Sequence, residues 1–271
     1  MVMFRARLAA RTLLRAASAP RNTPNGAWKR CMSAARPHFA VHRTQGAIGQ
    51  ADYTFESGKL GHLADGNVTV SVGGTVVLAT ATAESMAPNG QDFLPLSVDV
   101  LHKYYASGII PRTVRRRELA QSDREILDSR LVDRSIRPLF PHGFFADTHV
   151  TATLLSHDRS VDWAPLCILA SSAAVATSSL PFMGPLGAVR VAIVDDDVVV
   201  NPTREQLQRA TLDLLYAGTP SRVLMVEVEA SCAPAAAFRE AVRAADAAML
   251  AAIAPQAELA ALCGRPKRAL A

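Results

Sequence analysis

Apolar and polar residues alternate from Asn67 to Val72 (NVTVSV), stop at Gly73-Gly74, and resume as the β-branched run Thr75–Ala83 (TVVLATATA). That period-two pattern around a paired glycine predicts a hairpin, with strand character beginning at about Tyr53. A short strand over 93–100 follows. The period then becomes helical: Ser122 and Glu125 have the spacing of a capping box, Ile126, Leu127, Leu131, Val132 and Ile136 follow at helical intervals, and Pro138 stops the run. Thr148–Ser156 (THVTATLLS) has strand composition, and 164–179 reads as a helix rich in Ala and Ser, which can lie close against a sheet. Val189–Val194 and Val198–Val200 form a second hairpin around Asp195-Asp196-Asp197, which reads as a solvated turn. A short helix over Arg204–Arg209, strands at 212–216 and 222–230, an alanine-rich helix over 234–253 and another helix after Pro255 complete the chain. The fold class is α+β, mixed β-sheet hairpins packed against helices. Expected boundaries are 1–38 for a disordered presequence, 50–232 for the domain and 233–271 for a helical C-terminal extension.

Composition changes this picture in one place. Nine of the 29 Lys and Arg residues, and none of the 24 Asp and Glu, precede residue 52, so the formal charge of +5 conceals a mildly acidic body. Arg5, Arg7, Arg11 and Arg15 among Met, Phe, Leu and Ala give the amphipathic, acid-free pattern of a mitochondrial transit peptide, or else a basic arm that itself touches RNA. No apolar run approaches the ~18–20 residues that span a bilayer, and no membrane contact is expected. Cys31, Cys167, Cys232 and Cys263 lack any CxxC or histidine at ligand spacing. His62, His102, His142, His149 and His157 are scattered, each read as a surface or satisfied histidine. Neither a metal site nor a catalytic acid pair stands out.

The chemistry therefore rests on arginine. Arg112, Arg115, Arg116 and Arg117 crowd one loop, while Arg130, Arg134 and Arg137 fall on one arc of the following helix, beside Ile126 and Leu127. A guanidinium near apolar positions needs an anionic partner. Either these groups hold phosphate, or Asp123, Asp128 and Asp133 pair with them within the helix.

Five segments carry a resemblance: SGKLGHLADGNVTVSVGGTVVLATA, GQDFLPLSVD, SDREILDSRLVDRSIRPLFP, LPFMGPLGAVRVAIVDDDVVVNPT and LYAGTPSRVLMVEVEA. Together, over about 55–230, they resemble the first ribonuclease-PH-like core domain of the polynucleotide phosphorylase (polyribonucleotide nucleotidyltransferase) family, of the organellar type. The resemblance implies phosphate-dependent 3′-to-5′ degradation of single-stranded RNA in the mitochondrial matrix. Inorganic phosphate would be the co-substrate. Mg²⁺ is used by the family, but no site for it is visible in this sequence. The family's subunit has two such cores and assembles as a trimeric ring, with the catalytic pocket mainly in the second core, which this sequence does not reach. A homotrimer, or a ring completed by a second core-domain chain, is therefore expected. Arg115, Arg116 and Arg117 match the family's RNA-gripping pore loop, and Arg130, Arg134 and Arg137 its arginine helix. Two departures stand out: Val114-Arg115 where the family has aromatic or apolar residues before two arginines, and Asp162-Trp163-Ala164 where it reads Asp-Pro-Asp. They leave open a catalytically inactive RNA-binding or scaffold protein within a larger mitochondrial assembly.

Overall fold

The computed structural model describes residues 40–84, 92–118 and 120–269. The presequence expected at 1–38 lies outside them.

Six strands form the first sheet: β1 (His42–Ile48), β2 (Ala51–Ser57), β3 (Gly66–Val72), β4 (Thr75–Ala83), β5 (Leu96–Leu101) and β6 (Thr148–Ser156). Their order is β1-β2-β3-β4-β6-β5, antiparallel throughout except that β5 joins the edge parallel to β6. Strands thus begin at His42, eight residues before the expected domain start at 50, and β5 begins at Leu96 instead of Phe93. The second sheet holds β7 (Gly187–Val194), β8 (Asp197–Val200), β9 (Leu212–Thr219) and β10 (Arg222–Ala230) in the order β10-β9-β7-β8. Asp195 and Asp196, at φ 52° and 69°, make the tight turn between β7 and β8, where right-handed strand twist favours two residues of positive φ. All three aspartates there are exposed, as expected for a solvated turn.

Helices α1 (Asp123–Ile136), α2 (Trp163–Thr177), α3 (Arg204–Arg209) and α4 (Ala235–Cys263) complete the fold. The fold is the expected α+β arrangement of sheets packed with helices. Helix α2 is apolar all round, and Ala164 through Thr177 are all buried, the signature of a core helix. It packs against β3, β4, β6, β7, α1 and α4. Its close approach to β3 depends on Gly66, where a Cβ would stand 2.0 Å from the Ala174 carbonyl oxygen. Lys267 Nζ donates to the carbonyls of Val175, Ala176 and Ser178, satisfying the C-terminal end of α2.

The C-terminal helical stretch expected from 233 is one helix, α4, and not two: Pro255 lies inside it. The proline ring packs on Gly46 of β1, and the Thr44 hydroxyl donates to the Pro255 carbonyl at 2.9 Å, so tertiary contact outweighs the local preference to stop. Contrary to expectation, α4 is long and apolar enough, by length and composition, to cross a membrane. Its residues Ala241, Ala245, Met249, Ala252 and Leu259 are buried instead, on a helix that packs on β1, β7, β9 and α2.

Candidate nucleic-acid interface

Parallel pairing of β5 with β6, in register from Leu96↔Thr148 to Leu101↔Thr153, brings both strands out at the same end of the sheet. The loop that follows β5 and the connection that follows β6 are therefore neighbours, at the carboxyl ends of strands where open sheets most often place ligands. His102 and His157, first residues past the two strands, both lie against Trp163, with ring centroids 5.2 Å and 4.8 Å from the indole.

Helix α1 closes this region and begins as the sequence predicts. The Ser122 side chain accepts from the Glu125 N–H, and the Glu125 carboxylate accepts from the Ser122 N–H at 2.7 Å. Its inward face is not the apolar stripe the spacing suggests. Ile126 and Leu127 are exposed, and Glu125, Asp128, Val132, Ser135 and Ile136 are buried. The two carboxylates can occupy inward positions because remote partners satisfy them. Glu125 also accepts from the His102 N–H and pairs with Lys103 at 3.0 Å. Asp128 accepts from Trp163 Nε1 at 2.9 Å and Arg124 Nε at 3.1 Å, and Arg124 lies over the Trp163 ring.

Burial alone would raise the Glu125 carboxyl, but the Ser122 N–H, the Lys103 ammonium and the His102 N–H together bring it below the ordinary value. Asp128 goes the other way. Burial raises it, and Arg124 and the Trp163 N–H only partly offset that. A carboxyl depressed in the folded state contributes stability that is present above its unfolded pKa and lost as pH falls through the folded one. Glu125→Gln should therefore be less stable than wild type in urea at pH 7, and the gap should close as pH drops below about 4.5. A gap that is the same at both ends of that range would show that the ionised carboxylate does not hold this corner together.

The arginines divide into three groups. Arg112, Arg115, Arg116 and Arg117 are exposed, with no carboxylate partner among the described residues. Their loop is fixed by Thr113, whose hydroxyl donates to the Arg117 carbonyl at 3.0 Å and accepts its N–H at 3.1 Å, and by the Arg116 N–H to the Thr113 carbonyl. Arg130 is exposed and likewise unpaired among the described residues, and Arg134 makes one exposed contact to Glu227 at 3.5 Å. Arg137 is committed: it pairs with Asp133 at 2.6 Å and donates to the carbonyls of Leu94 and Leu96 at 3.1 Å, tying the end of α1 to the start of β5. Pairing within the helix thus accounts for Arg137 with Asp133, and Asp128 takes Arg124.

Sequence reasoning missed the ion network behind Trp163. Arg190 of β7 donates to Asp162 at 2.5 Å and through Nε to Asp213 at 2.8 Å, and its Nη2 also meets Asp213. Asp162, which precedes α2, makes no side-chain cap and spends its carboxylate on Arg190 and Arg124 instead. Ala164, which stands where the family pattern has its second acid, is buried, so α2 is held by packing and by this network. The residues present do not fit a magnesium site: the acids nearest one another here are already bound by arginine, and among the described residues no group of three or more His, Cys, Asp or Glu could hold a metal ion. The tryptophan after Asp162 was the one available signal.

Two models of the 3′ exoribonuclease family match in tandem, domain 1 over residues 52–181 and domain 2 over 184–248. The chain belongs to the 3′ exoribonuclease family. Within it, the chain is 45% identical over 196 residues to the polyribonucleotide nucleotidyltransferase of Xanthobacter autotrophicus, covering 72% of this chain and 27% of that protein. It is 42% identical over 228 residues to that of Herpetosiphon aurantiacus, covering 84% of this chain and 29% of that one. The chain thus spans less than a third of the length of the curated relatives it matches. In 3′ exoribonuclease terms, the seam at 181–184 falls between the first sheet with α2 and the second sheet, and the second match runs into α4.

Proposed function

We propose that this chain supplies the RNA-holding first core of a phosphorolytic 3′-to-5′ exoribonuclease of the polynucleotide phosphorylase type, acting in the mitochondrial matrix. Inorganic phosphate is the co-substrate. The ring is a homotrimer or is completed by a second core-domain chain, which brings the magnesium and the bond-breaking groups. The observation that carries this is the unpaired arginine loop, Arg112 and Arg115 to Arg117, on a fold whose relatives are polyribonucleotide nucleotidyltransferases. Four guanidinium groups without carboxylates form a surface that neutralises a phosphodiester backbone, with Arg130 and Arg134 extending it along α1. Val114, fully exposed, stands where a stacking ring would add affinity independent of charge, so binding leans on salt-sensitive contacts.

Changing Arg115, Arg116 and Arg117 together to Ala should flatten the dependence of oligo(A) affinity on salt by roughly one unit of slope for each phosphate left unneutralised. An unaltered slope would mean the loop does not touch RNA. Incubation with oligo(A) and phosphate tests the chemistry: nucleoside diphosphate release by this chain alone would refute the division of labour, and release only with a second core-domain chain would support it. The second reading, an inactive RNA-binding or scaffold subunit, is favoured by one observation. Arg190 binds both Asp162 and Asp213 and leaves neither carboxylate free for a metal.

A further inference from the structure

A second set of cations lies beside the loop. Between the 102–118 segment, the 157–163 connection and the start of α3 is a cleft of about 500 Å³, within the ~300–1,000 Å³ of small-molecule sites, and it adjoins a hollow of about 220 Å³ that shares His157, Arg159, Trp163 and Arg204. Four cationic side chains line the cleft, Lys103, Arg117, Arg159 and Arg204, against two carboxylates, Glu118 and Glu125. Both acids are engaged: Glu125 with Lys103 and backbone N–H groups, Glu118 with the Tyr104 N–H at 3.0 Å. Arg159 and Arg204 have no carboxylate partner among the described residues, and both are exposed.

Their positions are built. Asp158 pins the 157–160 turn to the β3–β4 hairpin, accepting from the Gly74 N–H at 2.8 Å and the Thr75 hydroxyl at 2.9 Å. Arg159 follows at φ 67°, an unfavourable conformation for a side-chain-bearing residue. Burial lowers the His157 imidazole, Asp158 opposes this, and the nearby charges of Arg159 and Arg204 push the same way as burial. Four cations against two acids that are already engaged favour an anion in the cleft. The faces of Trp163 are already taken by His102, His157 and Arg124, but Tyr104, about half exposed, stands at the cleft with its ring available.

We propose that this cleft holds one nucleotide of the bound single-stranded RNA, its phosphate on Arg159 and Arg204 with Arg117 at the rim, and its base against Tyr104. The proposal rests on the RNA-holding function above and extends the path from the exposed loop down to the carboxyl ends of β5 and β6. It assigns Tyr104 the stacking role that Val114 cannot fill.

The test uses the full chain and a fluorescein-labelled oligo(A) 20-mer, with anisotropy titrated across salt, and thermal unfolding confirming that each variant folds. Arg159→Ala/Arg204→Ala should lower the salt slope by about 0.7 unit, the value for one phosphate of a single strand left unneutralised. Tyr104→Ala should weaken binding roughly tenfold with the slope kept, and Tyr104→Phe should restore it. A double variant with wild-type affinity and slope would overturn the cleft, while loss of binding in the 115–117 variant would leave the loop function standing. Absence of salt-dependent binding by the wild type would remove both. If the double variant loses affinity for ADP but not for oligo(A), the RNA assignment fails in favour of a free nucleotide.

Discussion

Arg190→Met is expected to destabilise the protein by about 3 kcal/mol. The guanidinium is only 19% exposed and is the bridge between Asp162 and Asp213. Methionine fills much the same space but leaves two largely buried carboxylates facing each other. Asp162 keeps a long contact to Arg124 at 3.4 Å, and Asp213 loses its cation altogether. Urea midpoints at pH 7 should show the deficit. Adding Asp213→Leu should recover part of the loss, because a buried pair replaced whole costs far less than a pair broken. A midpoint equal to wild type at pH 7 would show that the bridge contributes nothing.

Gly66→Ala is expected to cost about 3 kcal/mol or more, which for a domain of this size lowers the thermal midpoint by about 10 °C. A Cβ there would stand 2.0 Å from the Ala174 oxygen and 2.8 Å from Ser178 Cβ, so backbone in the buried stretch of a core helix must move. Gly143→Ala is the control. Its φ of 93° carries a strain of about 1–2 kcal/mol, yet nothing lies within 4 Å of the new atom. Calorimetry should rank Gly66→Ala well below Gly143→Ala. The reverse order would mean that α2 can slide away from β3 at little cost.

Both sites are only half legible in the sequence. Hairpins, the Ser122 capping box and the loop arginines are local: alternation, spacing and charge within a few residues specify them, and the structure places them where expected. What escapes depends on partners far along the chain. Glu125 and Asp128 look like solvated helix acids until Lys103, His102 and Trp163 are brought to them, so spacing alone points Ile126 and Leu127 inward. Arg190 reads as a polar residue in a strand until Asp162 and Asp213 flank it. Pro255 breaks helices in the absence of a neighbour such as β1. Arg159 and Arg204 are invisible as a pair because α2 and the β7–β8 hairpin lie between them in the chain.

The parallel edge of the first sheet has a further consequence, for the order in which the molecule assembles. β5 and the second edge of β4 both wait for β6, whose register with β5 spans 52 residues of chain from Leu96 to Thr148. During synthesis the arginine loop is complete while its future neighbour, the 157–163 connection, has yet to be made. Closing so long an interval is slow compared with hairpin formation. The capacity to recognise a nucleotide should therefore emerge late, with the final ladder, long after the β3–β4 ribbon has formed.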